Sequence, residues 1–329
     1  MPQSRRTAGN ANNLHKLLRR GLYWTPRLVV IGLVLWIIAW LAVGDDVRYF
    51  GYINAGGFIF SLVACMAVLA LAFRRDWFWM AVAVILATGI LSYGTGFSVG
   101  DGAGQKAPAT IRVVSASLRG LNRNMDAAAV RLNSYDPDII AVQEVFEKMA
   151  LLDALKRHSG HEWTMTAFGP LAVFAKGQVK AGASEPLASV LKTEIIVQGQ
   201  PITLWTLRAP KSYAQPVLNA GFYNSLGNAI RAERPDLVVG DFNATPWNAG
   251  YATISRTMRN AQETSGFGPG NSFPAGARRI GLLGSFVRID HIFVSKGLVI
   301  RNAFTGKASA GADHHPVIAD IEMRQQIGG

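Results

Sequence analysis

Three stretches in the first hundred residues, 28–43, 51–73 and 77–97, carry no charge at all. A helix that crosses the hydrocarbon core of a bilayer needs about 20 mostly apolar residues, and it must pair every backbone polar group internally. The second and third stretches have that length. The first reaches it if Arg27 and Asp45, at its ends, extend to the polar interface. Three such runs in close succession leave no polar face to meet water, so the pattern predicts three transmembrane helices within 28–97. The first reads as a span rather than a cleaved leader, because two further spans follow it. Composition agrees: only 16% of residues are charged and mean hydropathy is +0.19, whereas soluble domains average about 25% charged residues.

Lysine and arginine set the orientation. Arg5, Arg6, Lys16, Arg19, Arg20 and Arg27 precede the first span with no acid among them. The next loop sets Asp45 and Asp46 against Arg48, and the one after it sets Arg74 and Arg75 against Asp76. Residues 1–27 are therefore expected in the cytoplasm. Three crossings then place the rest of the chain on the non-cytoplasmic side of the plasma (inner) membrane. Residues 98–110, rich in Gly and Ala, read as a flexible linker. From Gly94 onward 24 Lys and Arg stand against 18 Asp and Glu. That mild excess suits a phosphate-bearing substrate and falls short of a dense nucleic-acid-binding stripe. The single cysteine, Cys65, excludes an intramolecular disulfide and the cysteine-based zinc sites.

Residues 111–324 alternate between strand and helix signals. Strands are expected at 111–115, 138–142, 236–239, 288–295 and 317–322, with two or three more between 163 and 207, and helices at 125–134, 146–158 and 218–233. This mixture predicts an α/β domain with buried sheets. Polar residues gather where the apolar runs stop: Gln143 and Glu144, then Asp241 and Asn243, then Asp290 and His291, and last Asp313, His314 and His315 before Pro316. Singly, each has an ordinary reading as turn chemistry or a solvated loop.

Together and in this order, VQEV, GDFNATP, RIDHIFVS and GADHHPV resemble the motif series of the endonuclease/exonuclease/phosphatase superfamily of metal-dependent phosphoesterases. The resemblance covers roughly 111–322. It implies a four-layer α/β sandwich, two mixed sheets face to face with helices outside, here preceded by three transmembrane helices. It also implies a Mg²⁺ or Mn²⁺ cofactor, a hard ion that one or two carboxylates hold against a substrate phosphate. By the same resemblance Glu144 is the chief metal ligand, with Asp313 near the metal. Asp241 orients or deprotonates the attacking water, Asn243 donates its amide to a phosphate oxygen, and His314, polarised by Asp290, meets the phosphate. Gln143 is expected to support Glu144, and His291 and His315 to be structural.

Two positions depart from the family pattern. Ser117 stands where the first strand usually delivers an Asn, and Arg208 where a middle strand usually delivers a His. Arginine clamps a phosphate bidentately but does not donate a proton. The sequence thus leads to a membrane-anchored, divalent-metal phosphoesterase that hydrolyses a phosphodiester or phosphomonoester, with Ser117 and Arg208 at the substrate phosphate. The alternative is a catalytically impaired relative that binds a phosphate ligand or serves as an envelope interaction module. The lipid bilayer is the expected partner, and no obligate protein partner is inferred. Nucleic acid and phospholipid stay open as substrates: the Gly-rich loop 266–284, with Arg278 and Arg279, suits either backbone phosphate or a headgroup.

Overall fold

The computed structural model describes residues 4–45, 47, 49–98, 106–107, 109–180, 189–211, 216–276, 281–282 and 284–323. Asp46, Arg48, most of the expected linker, Arg278 and Arg279 lie outside them. The chain forms two compact units, 1–43 with 57–93, and 44–56 with 94–329.

In chain order the first helices are α1 (Ser4–Val43), α2 (Phe50–Asn54), α3 (Gly57–Phe73) and α4 (Trp77–Ser92). In the first unit, α1, α3 and α4 pack through small side chains. Ala64 and Ala67 of α3 and Ala83 and Ala87 of α4 meet Val30 and Leu33 of α1. Alanines at such positions let helix backbones approach closely. Arg27 pairs with Asp76 at 2.5 Å, and Arg74 Nη1 donates to the Tyr23 carbonyl at 2.8 Å. These contacts fasten the α3–α4 turn to the start of the apolar part of α1. Leu28, Leu35, Leu41, Met66, Leu69, Phe73 and Ile85 point outward and exposed.

The expectation of three full-length crossing helices is corrected here. Among the described residues only Tyr23–Val43, 21 residues, is a helix long and apolar enough to cross a bilayer. Helices α3 and α4 have 17 and 16 residues, about 25 Å at 1.5 Å per residue, against a core of about 30 Å. The apolar runs are longer than the helices they form, for a reason visible in the backbone. The run 51–73 breaks at the Ala55–Gly56 turn after α2. The run 77–97 breaks beyond Ser92, where Gly94 takes φ +71 and the chain enters a short strand, β1 (Gly96–Phe97). A Cβ at Gly96 would lie 2.1 Å from the Gln262 carbonyl oxygen, so that approach requires glycine. Both broken ends belong to the second unit.

The second unit continues with β2 (Ile111–Ser117), α5 (Met125–Asn133), β3 (Ile139–Gln143), α6 (Lys148–Ser159), β4 (Thr164–Phe168), β5 (Leu171–Ala175) and β6 (Gln178–Val179). Next come β7 (Val190–Val197), β8 (Gln200–Arg208), α7 (Pro216–Glu233), β9 (Leu237–Asp241), α8 (Ala249–Ser255), β10 (Arg259–Asn260) and α9 (Ala261–Ser265). Strands β11 (Phe267–Gly268), β12 (Asp290–Val294), β13 (Leu298–Thr305) and β14 (Val317–Met323) complete it. Two six-stranded sheets result, ordered β13-β14-β2-β3-β5-β4 and β10-β12-β9-β8-β7-β6, and β1 pairs with β11 apart from them. Both sheets are mixed: β2–β3 and β8–β9 run parallel, their other pairs antiparallel.

Alternation along the strands builds four layers. Val113, Ile139, Ala141 and Val173 of one sheet meet Leu204, Leu237, Val239 and Ile292 of the other. The opposite face of the first sheet, with Val114, Ile140 and Phe174, packs on Leu132 of α5 and Leu151 and Leu155 of α6. The opposite face of the second, with Trp205, Val238 and Phe293, packs on Leu226 and Ile230 of α7 and Ile254 of α8. Strands buried on both faces read as continuous apolar runs rather than alternating ones, which is why IIAV and LVV stand out in the sequence. On the helix-covered face of the first sheet, Arg112 of β2 grips its register partner Asp320 of β14 with Nε–Oδ1 2.6 Å and Nη2–Oδ2 2.8 Å, both side chains almost fully buried. Segment 44–56 docks at the start of α8, where Asp45 accepts from the Ala249 amide at 2.7 Å and Asn248 Nδ2 donates to the Gly51 carbonyl at 2.8 Å.

Candidate active site

The polar residues singled out in the sequence sit where β2, β3, β8 and β9 end and where β12 and β14 begin. In a sheet with a parallel centre, that edge is the one that leaves side chains free to meet a ligand. Strand register brings them together. Ser117 lies opposite Gln143, Arg208 opposite Asp241, and Asp241 opposite Asp290. Asp313 and His314 arrive on the turn before β14. The segment 272–275 stitches that turn to β12: the Ser272 carbonyl accepts from the His315 amide at 2.7 Å, and Ser272 Oγ accepts from the Asp290 amide at 3.2 Å.

On one side of the site, His314 Nδ1 meets Asp290 Oδ2 at 2.8 Å, and the Phe273 ring lies 4.8 Å from the imidazole. Atoms of Asp241, Asp290 and His314 all lie within 4.8 Å of one another. Asp313 Oδ1 is 4.0 Å from His314 Nε2. Burial alone would lower the His314 imidazole, but the charge and hydrogen bond of Asp290, with Asp241 and Asp313 adding, outweigh it and raise it to about 9. His314 is therefore a cation at neutral pH. Burial pushes the Asp241 carboxyl up to about 6; Asp290 adds to this, while His314 and Arg208 oppose it. A carboxylate poised near neutrality beside an imidazolium suits proton transfer at one atom and anion binding at the next.

On the other side, Glu144 follows β3 with φ +56, a conformation that L side chains rarely adopt and that tends to persist where function requires it. Its Oε2 accepts from the Gly120 amide at 3.0 Å, and its Oε1 lies 2.5 Å from Arg208 Nη2. Arg208 Nε is 3.7 Å from Asp241 Oδ2. The guanidinium thus stands between the two carboxylates.

Several expected roles are redrawn by these contacts. Gln143 does not touch Glu144 through its amide nitrogen; it turns between the sheets and donates to Thr206 Oγ1 at 2.9 Å and Ser115 Oγ at 3.3 Å. Asn243, at φ +46, spends its amide on the Ala209 carbonyl at 2.8 Å and on Asp241 Oδ2 at 3.3 Å, while its backbone N–H donates to Asp241 Oδ1 at 3.0 Å. It orients Asp241. Ser117 is buried at the end of β2 with its Oγ unpartnered. His291 is buried between the Ala244 carbonyl and Asn260, and burial holds it well below its ordinary value, so it is neutral. His315 Nδ1 accepts from the Ala308 amide at 3.0 Å and fixes the turn. Ser272 and Phe273 were invisible as site residues, because a Gly-rich loop carries no periodicity that marks them.

A hard divalent cation fits this donor set. The donors are carboxylate oxygens, and Asp290 Oδ1 is buried with no partner of its own. Asp241, Asp290 and His314 are the side chains whose ligand atoms the structure brings close enough together for one ion; Glu144, across Arg208, and Asp313, 4.0 Å from His314, border them.

The family model described as "Endonuclease/Exonuclease/phosphatase family" matches residues 103–314. Among solved structures, an endonuclease/exonuclease/phosphatase family protein from Bacteroides thetaiotaomicron aligns at TM-score 0.51 and 16% identity, covering 68% of this chain and 99% of its own. TDP2 of D. rerio, humanized by 14 mutations, aligns at TM-score 0.50 and 16% identity over 65% and 100% of the two chains. The 3′ phosphatase NExo of Neisseria, bound to product DNA hairpin, aligns at 0.51 and 13% over 64% and 98%. At these identities the likeness is one of fold. No curated protein matches the chain significantly in sequence. With the motif residues gathered at one sheet edge and the family model spanning most of the α/β unit, the chain belongs to the endonuclease/exonuclease/phosphatase family.

Proposed function

We propose that this chain is a membrane-anchored phosphoesterase that uses Mg²⁺ or Mn²⁺ to hydrolyse a phosphodiester or phosphomonoester. The observation that carries the reading is the trio Asp241, Asp290 and His314: a carboxyl raised to about 6 beside an imidazole raised to about 9. Asp241, oriented by Asn243, takes a proton from the attacking water. His314, held by Asp290, offers its Nε2 proton and positive charge to a phosphate oxygen. Bound at the carboxylates, the metal would neutralise charge that develops on the phosphate in the transition state. Turnover of bis-p-nitrophenyl phosphate, single-stranded DNA and phospholipid vesicles by the purified chain tests this, with Glu144→Ala alongside. Metal-dependent cleavage lost in the variant supports it; no turnover of any of the three with either metal sinks it. The preferred substrate decides between nucleic acid and lipid phosphate. One observation favours a second reading, a phosphate-binding relative without turnover: Arg208 already engages Glu144.

Membrane anchoring rests on the first unit. Its outward side chains are apolar along α1, α3 and α4, and Tyr23, Trp24, Trp77 and Tyr93, near the helix ends, supply the aromatic belt that interfaces favour. Segment 44–56, which joins α1 to α3, and segment 94–98, which follows α4, both belong to the second unit. Slightly short helices are accommodated by local thinning of the bilayer at modest cost. The basic residues that precede the apolar part of α1 favour a cytoplasmic N-terminus and an α/β unit across the plasma (inner) membrane, whether the chain crosses once or three times. Protease protection of the α/β unit in sealed vesicles of known orientation tests this.

A further inference from the structure

The metal-dependent reading leaves one residue with a conflict. Glu144 is the carboxylate that the motif series assigns to the metal, and Arg208 Nη2 is 2.5 Å from its Oε1. The other oxygen, Oε2, is taken by the Gly120 amide. Each oxygen of Glu144 therefore already has one partner, and an ion bound at Oε1 would have to share it with the guanidinium. Arginine does not lose its proton, so it leaves a carboxylate only by moving. Two cations at hydrogen-bonding distance from one oxygen repel each other strongly in a site of low dielectric.

The surroundings of Arg208 give it somewhere to go. Its side chain is 33% exposed, unlike the almost fully buried Arg112, which grips Asp320 with two nitrogens. Its closest approach to Glu144 is through Nη2, while Nε is buried, makes no hydrogen bond and lies 3.7 Å from Asp241. Across the site, the more deeply buried His314 is a second cation for a phosphate that enters past Arg208. A phosphate oxygen drawn there brings its remaining oxygens toward Arg208, whose planar fork matches a phosphate bidentately.

We propose that Arg208 is a resident counter-ion of Glu144 that the divalent metal displaces, and that a bound phosphate ester receives the displaced guanidinium, so that metal and substrate bind cooperatively. This rests on the metal-dependent reading of the same site. It makes Arg208 a positioning residue and gives a physical role to a departure from the family pattern. The site holds itself together without metal and takes up the ion readily only when substrate is present. By linkage, the metal must tighten phosphate binding by the same factor.

The test is Mn²⁺ affinity of the full chain in nanodiscs, read from the electron paramagnetic resonance signal of free Mn²⁺, with and without diethyl phosphate. In the unmodified protein, diethyl phosphate tightens Mn²⁺ binding by about tenfold, within the usual range of coupling between sites. Arg208→Gln binds Mn²⁺ about tenfold more tightly without phosphate and loses most of the response to it. Arg208→Lys retains the charge and stays close to the unmodified affinity, which separates loss of charge from loss of fold; matched melting curves check the latter. Mn²⁺ binding that Glu144→Gln weakens but Arg208→Gln leaves unchanged or weaker overturns this proposal and spares the metal-dependent reading. An equal response to diethyl phosphate in the unmodified protein and Arg208→Gln overturns it as well. No Mn²⁺ binding in any form overturns both.

Discussion

The two halves of the site are built from the same kind of pair, a carboxylate held by a cation, yet they do different work. Asp290 holds His314 at 2.8 Å, and Glu144 is held by Arg208 at 2.5 Å. The histidine pair is buried to 7% and 0% exposure, the arginine pair is open at 33% and 23%. Burial makes the histidine pair chemically tunable, because desolvation and neighbouring carboxylates move its protons. Exposure and a permanent charge make the arginine pair electrostatic and exchangeable. On the proposed reading, one half would handle protons and the other would decide which cation occupies Glu144.

The largest expected effect falls on the histidine half. Replacing His314 with Ala should cut kcat/KM about 10²–10⁴-fold, as loss of a positioned proton-transfer group does, and lower the melting temperature as well, because it leaves the buried Asp290 unpaired; His314→Gln, which keeps a hydrogen-bond donor, separates the two effects. A loss below tenfold would place the chemistry elsewhere and break the division of labour.

A stability comparison sharpens the contrast between buried and exposed arginine pairs. Asp320→Ala strands the buried Arg112 guanidinium and should cost about 3–5 kcal/mol in chemical denaturation. Glu144→Ala, which frees the partly exposed Arg208, should cost less than about 1 kcal/mol. Equal costs would mean that Arg208 is a structural pin.

The pH dependence separates the halves again. If Asp241 accepts the proton and His314 binds phosphate as a cation, activity should fall through about pH 9 as His314 loses its proton, and its rise should lie below the metal-free value of about 6 for Asp241, because a bound divalent cation favours the ionised carboxylate. Both groups lie above their ordinary values of 3.8 and 6.5. Each therefore lends stability at low pH that is lost as pH rises, that of Asp241 through about 6 and that of His314 through about 9. Asp290→Asn should bring the upper limb down toward neutrality, read from a rate profile. An upper limb that does not move would remove Asp290 as the group that raises His314.

The smallest effect lies away from the chemistry. Asp45→Ala removes the acceptor for the Ala249 amide at the start of α8 and should cost about 1 kcal/mol, the usual value of a lost helix cap. A shift near zero would show that segment 44–56 adds nothing to the α/β unit.

Much of this was legible in the residues. Apolar runs such as IIAV and LVV mark strands because a strand covered on both faces has no reason to alternate, and all the expected strands of the α/β unit are present. Asp241, Asp290 and His314 were legible because each directly follows or precedes such a run, and a strand end fixes where its side chain emerges. Helix length was not legible: hydropathy reports which side chains avoid water, not where the backbone bends. Residues 51–56 and 94–97 are as free of charge as the helices beside them, yet they turn, and 96–97 pair with β11. Gln143 was misread for a related reason, since the face to which a strand residue points depends on the register of the whole sheet.

The amino-acid order by itself determined the family, the α/β character and the inventory of charged groups, because these follow from local runs and from motifs that lie within a few residues of one another. Only the tertiary structure decided that Arg208 meets Glu144, that Asn243 serves Asp241, and that 44–56 caps α8. Those pairings join residues distant along the chain, and distance along the chain says nothing about distance in space until two sheets have closed on one core.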